Sequence, residues 1–130
     1  MRVHILALLL SLLMACSPPP PSGEPASGLF VVVRIPESLS PLERGAKYED
    51  PLHAELRRRG VGEVSGGGTG LGPASEDGRR EIQSVDIDVE LIDAERGLPT
   101  LRAALKELDA PPGTGLSYER DGRRIDEPLW

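Results

Sequence analysis

The stretch from Ser84 to Asp93, SVDIDVELID, constrains the fold more than any other part of the chain. Val85, Ile87, Val89 and Leu91 alternate with Asp86, Asp88 and Glu90. Successive side chains of a strand point to opposite faces, so this segment is predicted to be a strand with one oily and one acidic face. The oily face must be covered and the acidic face must meet water. That demand is met by an antiparallel sheet packed on one side only.

The remaining elements are read around this strand. Leu29 to Ile35, LFVVVRI, is rich in β-branched residues and is a second strand. Its apolar set, Leu29, Val31, Val33 and Ile35, is assigned to the core, which leaves Phe30, Val32 and Arg34 on the opposite face. Pro36 stops it. Glu37 to Glu49 reads as a loop holding at most a turn of helix. Asp50 as N-cap and Pro51 at the first helical position predict a helix that carries Leu52, Ala54 and Leu56 on its apolar side. Arg57, Arg58 and Arg59 complement its C-terminal dipole, and Gly60 ends it.

Val61 to Leu71, VGEVSGGGTGL, fits either a glycine-weakened edge strand or a loop, and Gly72 to Arg80 fits a turn with Glu76-Asp77-Gly78 at its tip. Gly97 to Asp109 is an amphipathic helix with Leu98, Leu101, Ala104, Leu105 and Leu108 on one face and Pro99 near its start. Gly115 to Arg120 is a last strand, and the polar tail to Trp130 has no assigned element. The order is strand, helix, strand, strand, helix, strand. The expected fold is therefore α+β, a ferredoxin-like βαββαβ plait. Its four-stranded antiparallel sheet carries two helices on one face, with the two most hydrophobic strands side by side at its centre.

The N-terminus has a different character. Met1 to Ala15 holds one positive charge, Arg2, and an apolar run of about ten residues, too short for the roughly 20 that span a bilayer. This is the layout of a secretory signal, residues 1–15. Leu13-Met14-Ala15-Cys16 resembles the lipobox of bacterial lipoproteins, with Met14 a less usual occupant of its position. That resemblance implies palmitate-type acylation, with lipid on the Cys16 thiol and cleavage before Cys16. The protein is then held to a membrane through its N-terminal lipid. Ser17 in place of an aspartate leans toward the outer membrane, facing the periplasm, over the inner one. Cys16 is the sole cysteine, so a lipidated chain has no thiol left for disulfides or metal.

Residues 16–28 form a tether. Ser17 to Gly28, SPPPPSGEPASG, has five prolines and no large apolar side chain, so it cannot bury enough surface to fold. Polyproline geometry would hold the domain up to a few tens of Å, at about 3.1 Å per residue, from the bilayer. Leu29 to Trp130 is then 102 residues, one small domain. With the signal removed, 14 basic face 21 acidic side chains, which argues against nucleic acid as a partner.

The segments YEDPL, GEVSGGGTGLG, VDIDVEL, GLPTLRAALKEL and APPGTGLSY, within Tyr48 to Tyr118, resemble small bacterial proteins of immunity type, or uncharacterised ones. The resemblance implies capture of a protein, with a toxin as one candidate. It carries no catalytic signature, and a lipid anchor departs from cytoplasmic immunity proteins. Its compartment favours an envelope-acting toxin over a nuclease.

Candidate chemistry is sparse. Ser65 to Gly72, SGGGTGLG, looks like a phosphate loop but lacks the Gly-Lys-Ser/Thr and the following helix that such a loop needs. Its glycines would instead let another backbone approach. Asp86, Asp88 and Glu90 stand about 7 Å apart in a parallel row. A row of this kind suits solvent or a protein partner better than a metal, which needs convergent oxygens. Arg34 is expected across from these acids, partly neutralising them. His53 lacks a nucleophile in a recognisable context. The expectation is a non-enzymatic, cofactor-free and metal-free binding domain in the cell envelope, with Arg34, Asp86, Asp88 and Glu90 as its partner-binding face. The alternatives are a structural or assembly lipoprotein and an unrecognised hydrolase.

Overall fold

The computed structural model describes residues 28–130. The signal, Cys16 and all of the tether but Gly28 lie outside the described residues. The chain forms strand β1 (Leu29–Ile35), a short helix α1 (Pro41–Arg44), a π-helical turn (Gly45–Glu49) and helix α2 (Asp50–Arg59). Strands β2 (Gly62–Leu71) and β3 (Ile82–Leu91) follow, then helix α3 (Ala94–Glu107) and strands β4 (Gly115–Arg120) and β5 (Arg123–Pro128). The strands make one five-stranded sheet in the order β2-β3-β1-β4-β5, every neighbour antiparallel.

The fold is α+β, and the expectation of four strands is corrected to five. The added strand comes from the tail. Asp121 and Gly122 both have positive φ, 54° and 71°, which is the two-residue turn whose twist matches a hairpin. They fold Arg123–Pro128 back along β4, pairing Ser117 with Asp126 and Glu119 with Arg124. The tail has no apolar alternation, so only the Asp-Gly pair signals it.

Central β1 buries Leu29, Val31, Val33 and Ile35, and β3 buries Val85, Ile87, Val89 and Leu91. Leu52 and Leu56 of α2 and Leu98, Leu101, Ala104 and Leu105 of α3 close over this face. Leu101, Leu105, Ile87 and Val33 have no exposed surface. Gly97 lets α3 approach: a Cβ there would stand 2.9 Å from Leu91 Cδ2. Among the described residues no helix lies over the other face of the sheet.

The expected loop before α2 is corrected. From Pro41 the backbone stays helical through Arg44, Gly45, Glu49 and Asp50 to Arg59. The cap is Ser40, not Asp50. Glu43 N–H donates to Ser40 Oγ at 3.3 Å, and Ser40 N–H donates to Glu43 Oε2 at 2.8 Å, a capping box with Pro41 at the first position. Pro51 has no N–H and would crowd a carbonyl one turn back in an α-helix. The π turn just before it, with Asp50 N–H donating to Gly45 O, gives room. Tyr48, Leu52 and Leu56 form the buried stripe, spaced by four, while Ala54 is exposed. Gly60, with φ of 65°, ends α2 as expected.

Helix α3 starts three residues earlier than expected. Asp93 is its N-cap, accepting from Arg96 N–H at 3.1 Å, which places Pro99 inside the helix. Val61 to Leu71 resolves into a strand from Gly62, with a bulge between Val64 and Gly66. Ser40→Ala should cost about 1 kcal/mol of stability through loss of the cap. Urea denaturation should show a lower midpoint with an unchanged slope.

Candidate binding face

The uncovered side of the sheet is built by alternation. Phe30, Val32 and Arg34 of β1 are in register with Glu90, Asp88 and Asp86 of β3. On the far side of β3, Glu63, Gly66 and Gly68 of β2 pair with Glu90, Asp88 and Asp86 in turn. On the far side of β1, Ser117 and Gly115 of β4 pair with Val32 and Arg34. All four expected residues, Arg34, Asp86, Asp88 and Glu90, therefore stand together on one face.

Arg34 grips Asp86 with two hydrogen bonds, Nε to Oδ1 at 2.9 Å and Nη2 to Oδ2 at 3.0 Å. This pairing holds the Arg34 guanidinium above its ordinary pKa, with a further contribution from Asp126. Among the described residues Asp88 and Glu90 make no ion pair. Arg34 is two-thirds exposed, so Arg34→Ala should change stability by less than about 1 kcal/mol. A thermal melt checks this, and a large drop would mean the pair is structural.

A trough of about 880 Å³ runs over β1, β4 and β5 on this face, bounded by Phe30 and Arg34 on one side and Arg124, Asp126 and Pro128 on the other. It exists because β4 contributes Gly115 and Ser117 as its floor. Phe30 is 52 % exposed beside it. Hydrogen bonds from Ser117 and Arg124 outweigh burial and hold Asp126 below the usual carboxylate range. Ser117, Arg124 and Asp126 are not foreseen from the sequence. The alternation of GLSYER alone would have placed Ser117 on this face, but Arg124 and Asp126 need the hairpin.

Three polar clusters lie elsewhere. Tyr48, fully buried, donates its hydroxyl to Glu37 Oε1 at 2.6 Å, and Lys47 Nζ donates to Glu37 Oε2 at 2.7 Å. Burial pushes Glu37 up, but these two bonds outweigh it and leave its carboxyl below the ordinary value. Arg44 Nε donates to Glu49 Oε1 at 2.6 Å, and its Nη1 donates to Gly68 O at 3.0 Å. A Cβ on Gly67 would strike this pair, so the glycine there makes room for it. Tyr118 donates to Glu127 Oε1 at 2.9 Å, which also pairs with Arg102.

His53 Nδ1 accepts from Val64 N–H at 3.3 Å, so the imidazole is tied to the edge of the sheet. Trp130 Nε1 donates to Ala110 O at 3.0 Å, and Lys106 Nζ sits 5.0 Å from its ring centroid. The C-terminus is thereby pinned beside the end of α3. Among the described residues no group of three or more His, Cys, Asp or Glu is placed to hold a metal ion. Among them, too, no helix is long and apolar enough to cross a membrane.

Fold and face together define an α+β domain with helices on one side of its sheet and a charged, partly apolar surface on the other. The chain matches no family model, no curated protein and no solved structure.

Proposed function

We propose that this chain is a lipid-anchored protein of the bacterial cell envelope whose single domain is a non-catalytic module for capturing a protein partner, an immunity-type role. The anchor is the lipid on Cys16, and the outer membrane facing the periplasm is the favoured site. The observation that carries the binding reading is the bare sheet face. A sheet whose second side offers a half-exposed phenylalanine, an open trough and carboxylates that make no ion pair among the described residues has surface suited to a polypeptide. Structural use of the polar clusters supports the non-catalytic reading: His53 Nδ1, Arg44 Nη1, and the hydroxyls of Tyr48 and Tyr118 are each engaged by a neighbour within the domain.

The domain itself reads as a ferredoxin-like plait extended by one strand. Its support is the order β2-β3-β1-β4 with βαββαβ connectivity, to which β5 adds an outer hairpin strand.

The test is crosslinking and affinity capture from the native cells. The full chain, Cys16→Ala, and a triple variant with Asp86, Asp88 and Glu90 changed to Ala are compared. The full chain should incorporate a palmitate analogue and fractionate with membrane, and Cys16→Ala should do neither. A dominant partner present with both and lost with the triple variant is the expected result. A partner retained by the triple variant would remove the acidic face from the reading. No partner at all would remove protein capture.

A further inference from the structure

The two edges of the sheet are built differently. β5 has six residues and carries Arg123, Arg124, Asp126 and Pro128, the charges and proline that deter pairing with another chain. β2 has ten residues, no proline, and a single charge at Glu63. Two of its outward backbone groups are already held within the domain, Val64 N–H by His53 and Gly68 O by Arg44, so a strand added here has to displace these side chains or pair around them. Alternation along an antiparallel strand points the groups of Gly66 and Gly70 outward as well.

On the bare face, Gly66, Gly68 and Gly70 are in register with Asp88, Asp86 and Ser84. The β3 side chains lean over two of these glycines. Asp88 Oδ2 lies 3.4 Å from where a Gly66 Cβ would stand, and the Ser84 hydroxyl fills the place of a Gly70 side chain. Among the described residues nothing lies within 4 Å of a Cβ on Gly68. The result is a notch over Gly68 between Asp88 and Ser84, open to the edge.

We infer that the β2 edge accepts an added β-strand from the partner, and that this strand carries a lysine or arginine opposite Gly68 that crosses the notch to Asp88. The inference rests on the reading of the domain as a protein-binding module. Main-chain hydrogen bonds supply affinity in such strand addition, and alternate side chains supply specificity. The chemistry selects a cationic strand, because Asp88 rims the notch and, among the described residues, makes no ion pair, while Asp86 is held by Arg34. A second copy of this chain is a poor occupant. Its own β2 would bring Glu63 and no basic residue to an acidic rim.

The test uses the detergent-solubilised full chain and a labelled heptapeptide, Thr-Lys-Val-Lys-Val-Lys-Thr, beside the same peptide with glutamate for lysine. The lysine peptide should bind at least about tenfold tighter, the scale of one charged hydrogen bond. Amide hydrogen exchange should slow at Gly66 to Gly70 on binding. Gly68→Lys fills open space with the domain's own cation, so it should melt like the parent and lose the peptide. Asp88→Asn should weaken binding by a similar factor. Equal binding of both peptides, no binding, or full binding to Gly68→Lys would overturn the inference. Protection at Gly115 to Ser117 in place of the edge would also overturn it, while leaving the bare face as the binding surface. Failure of the peptide together with failure of partner capture would remove both.

Discussion

Ile87→Ala should remove about 3 kcal/mol of stability, within the range of 2–5 kcal/mol for emptying a buried isoleucine site. Ile87 has no exposed surface and sits at the middle of β3 opposite Val33. Strands β1 and β2 flank it within the sheet, and the helices close over its face, so the site cannot collapse easily. Domains of this size are stable by about 5–15 kcal/mol, so one side chain accounts for a large fraction of the total. The melting temperature should fall by roughly 12–24 °C. Asp88→Ala, one residue along and on the bare face, should shift it by no more than a few degrees, since surface changes usually stay within about 0.5 kcal/mol. The contrast is the measurement: thermal and urea unfolding of the two variants side by side. Comparable losses from both would mean that the acidic face is packed against something and is not open.

That contrast is also where the sequence was most legible. Strict alternation in VDIDVEL left one arrangement of faces open to that strand, because a one-residue slip would bury Asp86, Asp88 and Glu90, whereas in LFVVVRI Arg34 alone marks the outer face. With the faces fixed, the meeting of Arg34 with Asp86 followed from two adjacent strands. Helix α2 was legible in its body and misread at its start. Asp50-Pro51 has the chemistry of a helix beginning, yet Ser40 and Glu43 offer the same chemistry with a reciprocal partner, and a π turn lets the helix run through the proline. The stretch between them hid this, since Leu42 is exposed and only Tyr48 marks the buried stripe. β5 was illegible by pattern because its side chains are nearly all polar. A strand held at an edge by backbone pairing needs no apolar face. The trough over β4 was hidden for the same reason: it depends on what Gly115 and Ser117 lack and on what the unrecognised hairpin sets beside them.

Alkaline pH should destabilise the domain between about pH 10 and 12, and Tyr48 should be the main cause. Burial is the first reason its phenol resists ionisation, and the hydrogen bond to the Glu37 carboxylate is the second. Together they push its pKa up to about 12. In the unfolded chain the phenol ionises near 10. A group with a raised folded pKa gives its full contribution below the unfolded value, and that contribution is lost as pH climbs toward the folded one. Two units correspond to about 2–3 kcal/mol. Lys47, also raised, chiefly by its bond to Glu37, acts in the same direction. Tyr118 is raised too, by burial and then by its bond to Glu127. The chain has two tyrosines, so absorbance near 295 nm follows these phenols and no others. Both should titrate above 10 in the folded protein, one of them near 12. Tyr48→Phe should abolish the higher step and flatten the fall in stability between pH 10 and 12. A parent protein whose two phenols titrate together near 10 while still folded would show that the Tyr48–Glu37 contact is open to water. The buried end of the α2 stripe would then have to be redrawn.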